Sequence, residues 1–466
     1  MDGTFLVGDS LVELFVAGVF RRPLPTLGAL GRLVEGRPAF KAALAANIDL
    51  CMADAPVRRD LLTYLQDQKR EGRPVYLVSA ADQRVVDHVA AGAGIFDGAF
   101  GSSAGINLKG IRKADFLKDR FPGGFAYAGD SRADLPVWSE AAGVVIVGGS
   151  DGVAARARAL GRPVEAEFPA GRRTVALWLR ALRAHQWAKN ILIFIPLILS
   201  VHAHSLRHIG ASVIGFAVLS LAASATYILN DLVDLNSDRQ HRSKRARPLA
   251  SGALPLGAAA LAVPLLLLLS LLGAAALNAG VFVALLGYLA LTLSYSLRLK
   301  RTPLLDVIVL AGLYTMRLVM GTILAGVEFS AWLLTFAGFF FFAMSLAKRH
   351  VEVTAARDWP ADLDLPGRGY RPGDAPLTLA LGVSASVASV LIVVQYMMAE
   401  AFPSGVYARP AWLWAAPVLL SVWICRVWFL AHRGELHDDP VEFAIKDPAS
   451  LGLGALLALT FVIARL

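Results

Sequence analysis

The stretch Asn230-Asp231-Leu232-Val233-Asp234-Leu235-Asn236-Ser237-Asp238 closes a long apolar run, 208–229, and sets carboxylates at the mouth of a membrane span. On a helix that continues through it, Asn230, Asp234 and Asp238 fall at i, i+4 and i+8, so one face offers oxygen ligands to a hard divalent cation. Immediately downstream, Arg239, His241, Arg242, Lys244, Arg245 and Arg247 form a cationic cluster suited to phosphate oxygens. Orientation of a membrane loop explains the bases but not the acids, since charge beside the hydrocarbon is costly and is kept where it acts. The pattern predicts a diphosphate site organised by Mg²⁺.

Working outward, the 466 residues are 56% hydrophobic and 17% charged, which excludes a single soluble globule. The net charge of +9 is spread over short loops between apolar runs, where lipid head groups and orientation account for it, so nucleic acid is excluded as a partner. Cys51 and Cys425 are far apart and form neither a disulfide framework nor a zinc site. The first twenty residues have no basic leader and carry Asp2, Asp9 and Glu13, unlike a secretory signal.

Residues 1–165 have the mixed polarity of a soluble α/β domain. Strand-like runs at 75–78, 125–128 and 144–147 alternate with helix-like stretches such as 57–72, which predicts a parallel sheet covered by helices. A linker at 166–179, in a stretch from Pro163 rich in Arg, Pro and Gly, leads to an all-α polytopic domain at 180–466. Nine apolar spans are expected there, near 190–205, 208–229, 255–277, 279–297, 303–325, 330–347, 376–398, 411–431 and 449–465. The loops at 230–254, 298–302, 348–375 and 432–448 hold fifteen Lys and Arg, against two in the opposite set. This predicts that the N-terminal domain and every charged cluster face the cytoplasm of a bacterial cell membrane.

Four further segments reach that side: His185-Gln186-Trp187-Ala188-Lys189-Asn190, Tyr295 through Arg298, Lys300 and Arg301 to Asp306, Ser345 through Lys348 to His350, and Asp438-Asp439 through Glu442 to Asp447. With the Asn230–Asp238 signature they resemble the UbiA superfamily of membrane prenyltransferases over 180–466. Within it they are most similar to the decaprenyl-phosphate 5-phosphoribosyltransferases. The resemblance implies transfer of 5-phosphoribose from phosphoribosyl pyrophosphate to a polyprenyl phosphate, for lipid-linked pentose precursors of cell-wall glycans. It implies Asp231, Asp234 and Asp238 as catalytic, Asn230, Asp234 and Asp238 as metal ligands, and Lys189, Asn190, Lys244, Arg247, Tyr295, Arg298, Lys300, Asp306 and Lys348 as substrate contacts. One carboxylate, Asp306, among Tyr295, Arg298, Lys300 and Arg301 argues against a second metal and for a substrate rich in phosphate. The alternative is prenyl transfer from a prenyl diphosphate to an aromatic or small acceptor. A transport protein predicts charge in mid-span, where only Arg317 and Arg426 lie; Arg317 is placed to pair with Asp306, to line the cavity or to pack helices. The 357–374 loop is read either as a lid or as solvated chain, and assembly as a homo-oligomer is left open.

At the other end, Met1-Asp2-Gly3-Thr4, Ser79 after a strand-like run, Lys113, and Gly129-Asp130 through Asp134 resemble, in order, the four motifs of haloacid-dehalogenase-like phosphatases. That likeness implies a Rossmann-like fold, with Asp2 as acid and base, Ser79 and Lys113 on phosphoryl oxygens, and Asp130 and Asp134 on Mg²⁺. The matching nucleophile falls two residues before Asp2, ahead of Met1, so either translation begins upstream of this numbering, the favoured expectation, or the domain is a phosphatase relic used for packing or regulation. An intact domain of this kind would remove the 5-phosphate from the product made next door.

Overall fold

The structure, a computed structural model, describes residues 1–466 apart from 51–53, 104–106, 172–173, 201–204, 361, 366 and 437–438. Cys51 and Asp438 therefore lie outside the described residues. The chain forms two compact units, one of residues 1–182 with 227–264, the other of 183–226 with 265–466. The acid-rich stretch and its basic cluster thus belong to the same unit as the N-terminal segment.

In the first unit the strand-like runs become β1 (Tyr76–Asp82), β3 (Ala126–Gly129) and β4 (Gly143–Val147), joined by β2 (Gly98–Ser102) and β5 (Val164–Phe168). The strands pair in parallel, but in two pieces among the described residues, β1 with β2 and β3-β4-β5, where the sequence predicted one sheet. The opening residues explain the split: Met1, Phe5 and Leu6 share a core with Leu77 and Ala81 of β1 and Val145 and Val147 of β4. Leu6 makes only a single antiparallel bridge, to Val57, so these residues contribute apolar bulk rather than a ladder. The segment 166–179, expected as a linker, opens inside β5 and closes in the helix Val175–Ala181. That correction has a physical cause: β5 is an edge strand whose Glu165 is held by Arg73 at 2.7 Å, so it reads as polar chain.

Eight helices among the described residues are long and apolar enough to cross a bilayer, beginning with Leu206–Val233 and Leu256–Leu277 and ending with Pro448–Arg465. They fall on eight of the nine expected spans. The remaining one, near 190–205, holds a shorter apolar helical stretch, Ala184–Leu199, followed by residues outside those described. This is a multi-pass membrane protein. Helices in lipid gain little from the hydrophobic effect and associate through close approach, which needs small residues. At Gly321 a Cβ would stand 2.2 Å from the Ile193 carbonyl oxygen, and at Gly382 it would stand 2.2 Å from the Trp428 ring.

Gly321→Ala pushes against backbone. It is expected to cost about 1–3 kcal/mol, the usual range for overpacking, and to lower the unfolding temperature in detergent. Gly338→Ala, whose Cβ meets open space, is expected to leave it unchanged.

Candidate active site

The span Leu206–Val233 ends inside the acid-rich stretch, Asp234 kinks the chain at φ −89° and ψ 9°, and a short helix, Leu235–Gln240, follows. Hydrogen bonds from Asp234 N to Asn230 O (2.8 Å) and from Asp238 N to Asp234 O (2.9 Å) carry the four-residue ladder across the kink. The spacing read from the sequence survives, but burial sorts the four residues differently. Asp231 and Asp238 are 5% and 1% exposed, and Asn230 and Asp234 are half-buried.

Arg247 Nη1 donates to Asp238 Oδ2 at 2.5 Å and to Asp231 Oδ1 at 3.2 Å, and Lys244 Nζ stands 3.8 Å from Asp238 Oδ1. Two buried carboxylates therefore share one guanidinium, whose charge offsets part of the cost of holding them away from water. Asp238 Oδ1 accepts no hydrogen bond among the described residues. No three His, Cys, Asp or Glu side chains gather into a cage among those residues either. An ion held by Asp238 Oδ1, Asp234 and Asn230 would complete its shell with solvent or substrate oxygens. That donor set suits Mg²⁺, which keeps several waters and binds through one or two carboxylates plus phosphate. Next in sequence, Arg239 is fixed by Glu13, Nη2 to Oε1 at 2.7 Å, with both side chains buried.

Some of the N-terminal motif residues, Thr4 with Asp130 and Lys113 with Asp134, also meet in this unit. Asp134 Oδ1 accepts from Tyr127 OH (3.0 Å) and Lys113 Nζ (3.4 Å), and its Oδ2 accepts from Ser131 Oγ (3.0 Å). Thr4 Oγ1 donates to Asp130 Oδ1 at 2.9 Å, and Asp2 Oδ1 accepts from Ser10 N at 2.9 Å. Gly3, at φ +69°, lets the backbone pass Asp130: a Cβ there would lie 2.3 Å from Oδ2. Burial and then the Asp134 charge push the Asp130 carboxyl up. Burial also acts on Asp134, but Lys113 and the Ser131 and Tyr127 hydroxyls outweigh it and hold that carboxyl below its ordinary value. Ser79 is buried and accepts from Ala81 N at 3.2 Å.

The second unit holds two further polar clusters. In the first, Asp439 Oδ2 lies 3.3 Å from both Lys189 Nζ and Lys348 Nζ, while Oδ1 accepts from Tyr314 OH at 2.7 Å. Burial would raise the Asp439 carboxyl, but the two ammonium groups and the tyrosine hold it well below the usual range. Arg317 lies alongside, its guanidinium 5.3 Å from the ring centres of both Tyr288 and Tyr314, with Nε donating to Asn190 Oδ1 at 2.9 Å. Two cations thus flank one carboxylate, and Arg317 stands behind them against the ring of Tyr314. In the second cluster, fully buried Asp306 is saturated: Arg349 Nε donates to Oδ2 and Tyr370 OH to Oδ1, both at 2.6 Å. Tyr295 OH accepts from Arg349 Nη2 (3.3 Å) and Arg368 Nη1 (2.8 Å). Arg298 is exposed and Lys300 half-buried, and neither enters an ion pair among the described residues.

Several expectations change here. Arg317 pairs with Asn190, not with Asp306, whose cation is Arg349. Arg426 leaves the hydrocarbon through two hydrogen bonds to Asp447, at 2.7 and 2.9 Å. The 357–374 loop is tied down by Tyr370 and by Gly369, where a Cβ would strike the Arg301 carbonyl oxygen at 2.3 Å, so it is not merely solvated chain. Sequence reasoning missed Asp439, Tyr314, Arg349 and Tyr370 as site residues. The segments that hold Asp439, Arg349 and Tyr370 were singled out without those residues being assigned, and Arg317, three residues after Tyr314, was the signal for the fourth.

The model of the UbiA prenyltransferase family matches residues 191–445. The chain belongs to that family. It is similar along its length to y4nM, an uncharacterized protein of Sinorhizobium fredii, with 43% identity over 465 residues, 100% of this chain and 90% of that one. The nodulation protein NoeC of Azorhizobium caulinodans is 34% identical over 292 residues, 61% of this chain and 92% of NoeC. The decaprenyl-phosphate phosphoribosyltransferase of Corynebacterium glutamicum is 36% identical over 179 residues, 38% of this chain and 54% of that enzyme. A solved UbiA homolog from Archaeoglobus fulgidus, bound to GPP and Mg²⁺, superposes with a TM-score of 0.48 at 21% identity, over 62% of this chain and 100% of that one.

In this UbiA family member Arg247→Met strands two buried carboxylates. A loss of about 3–5 kcal/mol is expected, as for breaking a buried ion pair, read as a lowered unfolding temperature that added Mg²⁺ partly restores. Tyr370→Phe keeps the ring but removes a donor to Asp306. It is expected to cost about 1–3 kcal/mol and to open the 357–371 loop to limited proteolysis.

Proposed function

We propose that the membrane domain transfers 5-phosphoribose from phosphoribosyl pyrophosphate to a polyprenyl phosphate, releasing pyrophosphate. The observation that carries this reading is the saturation of Asp306. With Arg349 and Tyr370 on its two oxygens, the acid that would serve a second metal is already neutralised. Lys189, Lys348 and Arg317, with one carboxylate among them, leave a surplus of positive charge. Such a balance suits a substrate with more phosphate than one metal ion neutralises, and a ribose carrying a pyrophosphate and a 5-phosphate is one. The relatives named decaprenyl-phosphate phosphoribosyltransferase support the same substrate class.

When bound at Asn230, Asp234 and Asp238, Mg²⁺ would supply charge neutralisation and Lewis acidity to the departing pyrophosphate. The chain's own groups do the rest. Asp231 keeps Arg247 oriented, and Arg247 and Lys244 offer donors to phosphate oxygens beside the carboxylates. Lys189 and Lys348, whose ammonium groups are held at Asp439, take further phosphate oxygens, as do Arg298 and Lys300 on their loop. Tyr295, fixed by Arg349 and Arg368, positions the sugar. The lipid phosphate attacks C1 without a general base, because a phosphate monoester is already ionised near neutral pH. The reaction faces the cytoplasm of the cell membrane, in keeping with the count of Lys and Arg in the loops.

We further propose that the N-terminal domain is a haloacid-dehalogenase-like phosphatase that acts on the 5-phosphate of the product. The opposed shifts of Asp130 and Asp134 and their contacts with Lys113 and Thr4 support it.

With reconstituted protein, label from phosphoribosyl pyrophosphate is expected to enter the lipid fraction when polyprenyl phosphate and Mg²⁺ are present. Asp234→Asn should abolish transfer without lowering the unfolding temperature. Labelled prenyl diphosphate passing to an aromatic acceptor instead would overturn the reading. Mass spectrometry of the lipid product made by the full-length protein supplied with Mg²⁺ tests the phosphatase: loss of the 5-phosphate is expected, and its full retention contradicts that role.

A further inference from the structure

The helix Pro23–Gly31 and the 3₁₀ turn Arg32–Glu35 that continues it are built inside out. The inward stripe is narrow, consisting of Thr26, which accepts from Asn47 Nδ2 at 3.1 Å, and Ala29. Gly18 of the preceding helix, Ser10–Arg21, lets the two helices touch, since a Cβ there would meet Thr26 Oγ1 at 2.4 Å. The outward face is apolar. Leu24 is 82% exposed, Leu27 51% and Val34 94%, with Leu30 and Leu33 also exposed. A soluble domain does not keep so continuous a row of exposed aliphatic side chains without a covering phase.

Two observations say what covers it. Between Glu13 and Glu35 the sequence has no acid and three exposed arginines, Arg21, Arg22 and Arg32, so the strip has the composition of an interfacial basic amphipathic helix. The unit that bears it also contains the ends of two membrane spans, Tyr227–Val233 and Leu256–Pro264. Helix Ser10–Arg21 packs on the chain joining them. Glu13 holds Arg239, and a Cβ at Gly257 would lie 3.7 Å from Val12. The strip follows directly on an element seated at the foot of the membrane.

We infer that the segment Pro23–Glu35 is a membrane-docking strip, with Leu24, Leu27 and Val34 entering the interface of an anionic bilayer and Arg21, Arg22 and Arg32 at head-group level. Leu33 and Glu35, at the end of the strip, also line a cavity of about 710 Å³ together with Asp9, Lys41, Asp82 and Lys109. Docking would hold that cavity beside lipid head groups, where a lipid-linked phosphate is found.

The test uses the full chain in nanodiscs, with Cys51→Ser and Cys425→Ser and one new cysteine carrying an environment-sensitive fluorophore. Brominated lipid chains are expected to quench the probe at Leu27→Cys several-fold more than at Asp119→Cys, an exposed position on the same unit. The difference should grow when phosphatidylglycerol replaces phosphatidylcholine. Arg21→Gln, Arg22→Gln and Arg32→Gln together should abolish that growth. Equal quenching at the two positions overturns the inference. Protection at Leu27 that depends on protein concentration overturns it in favour of a contact between copies. Neither readout depends on the transfer reaction, so the outcome stands apart from the proposed function.

Discussion

Two carboxylates buried side by side at the end of a membrane span repel each other and lose their water, a cost that a cation standing between them offsets. Asp231 and Asp238 have that cation in Arg247, and much of their surroundings follows from it. The kink at Asp234 leaves the helical ladder intact while two acids, Asp231 and Asp238, are buried and Asn230 and Asp234 stay half-buried. The guanidinium is itself the type of group that binds phosphate bidentately, so the residue that stabilises the empty arrangement is also equipped to contact an anionic substrate. Glu13 extends the constraint into the N-terminal domain by fixing Arg239, next to Asp238 in the chain.

The same rule of charge balance separates the two clusters of the second unit. At Asp306 the account is closed: every oxygen is satisfied, and the residue acts as a clamp on the 357–371 loop. At Asp439 it is open, because Lys189, Lys348 and Arg317 outnumber the single acid. Closed clusters give rigidity at the cost of a desolvated charge, whereas open ones retain attraction for an incoming anion. On the proposed reading, phosphate binding falls to the Asp439 cluster and positioning to the Asp306 cluster.

Much of this was legible in the sequence. Hydropathy located the eight long spans, apolar runs located β1, β3 and β4, and the four-residue spacing of Asn230, Asp234 and Asp238 is kept by backbone hydrogen bonds. What escaped was long-range pairing. Glu13 and Arg239 lie 226 residues apart, and Arg317 and Asn190 lie 127 apart, distances at which no periodicity carries information. Arg349 sat in a stretch that reads equally well as a membrane anchor. β2 was missed because Gly98–Ser102 has no β-branched residue, and β5 because an edge strand with two glutamates resembles a linker.

The most direct test of the central claim replaces Mg²⁺ with Mn²⁺ and follows the ³¹P resonances of phosphoribosyl pyrophosphate added to the reconstituted protein. The expected result is selective broadening of the pyrophosphate signals in the native protein and its loss in Asp238→Asn. Broadening that is absent in the native protein, or unchanged by that substitution, would contradict the assignment of these acids as the cation's ligands.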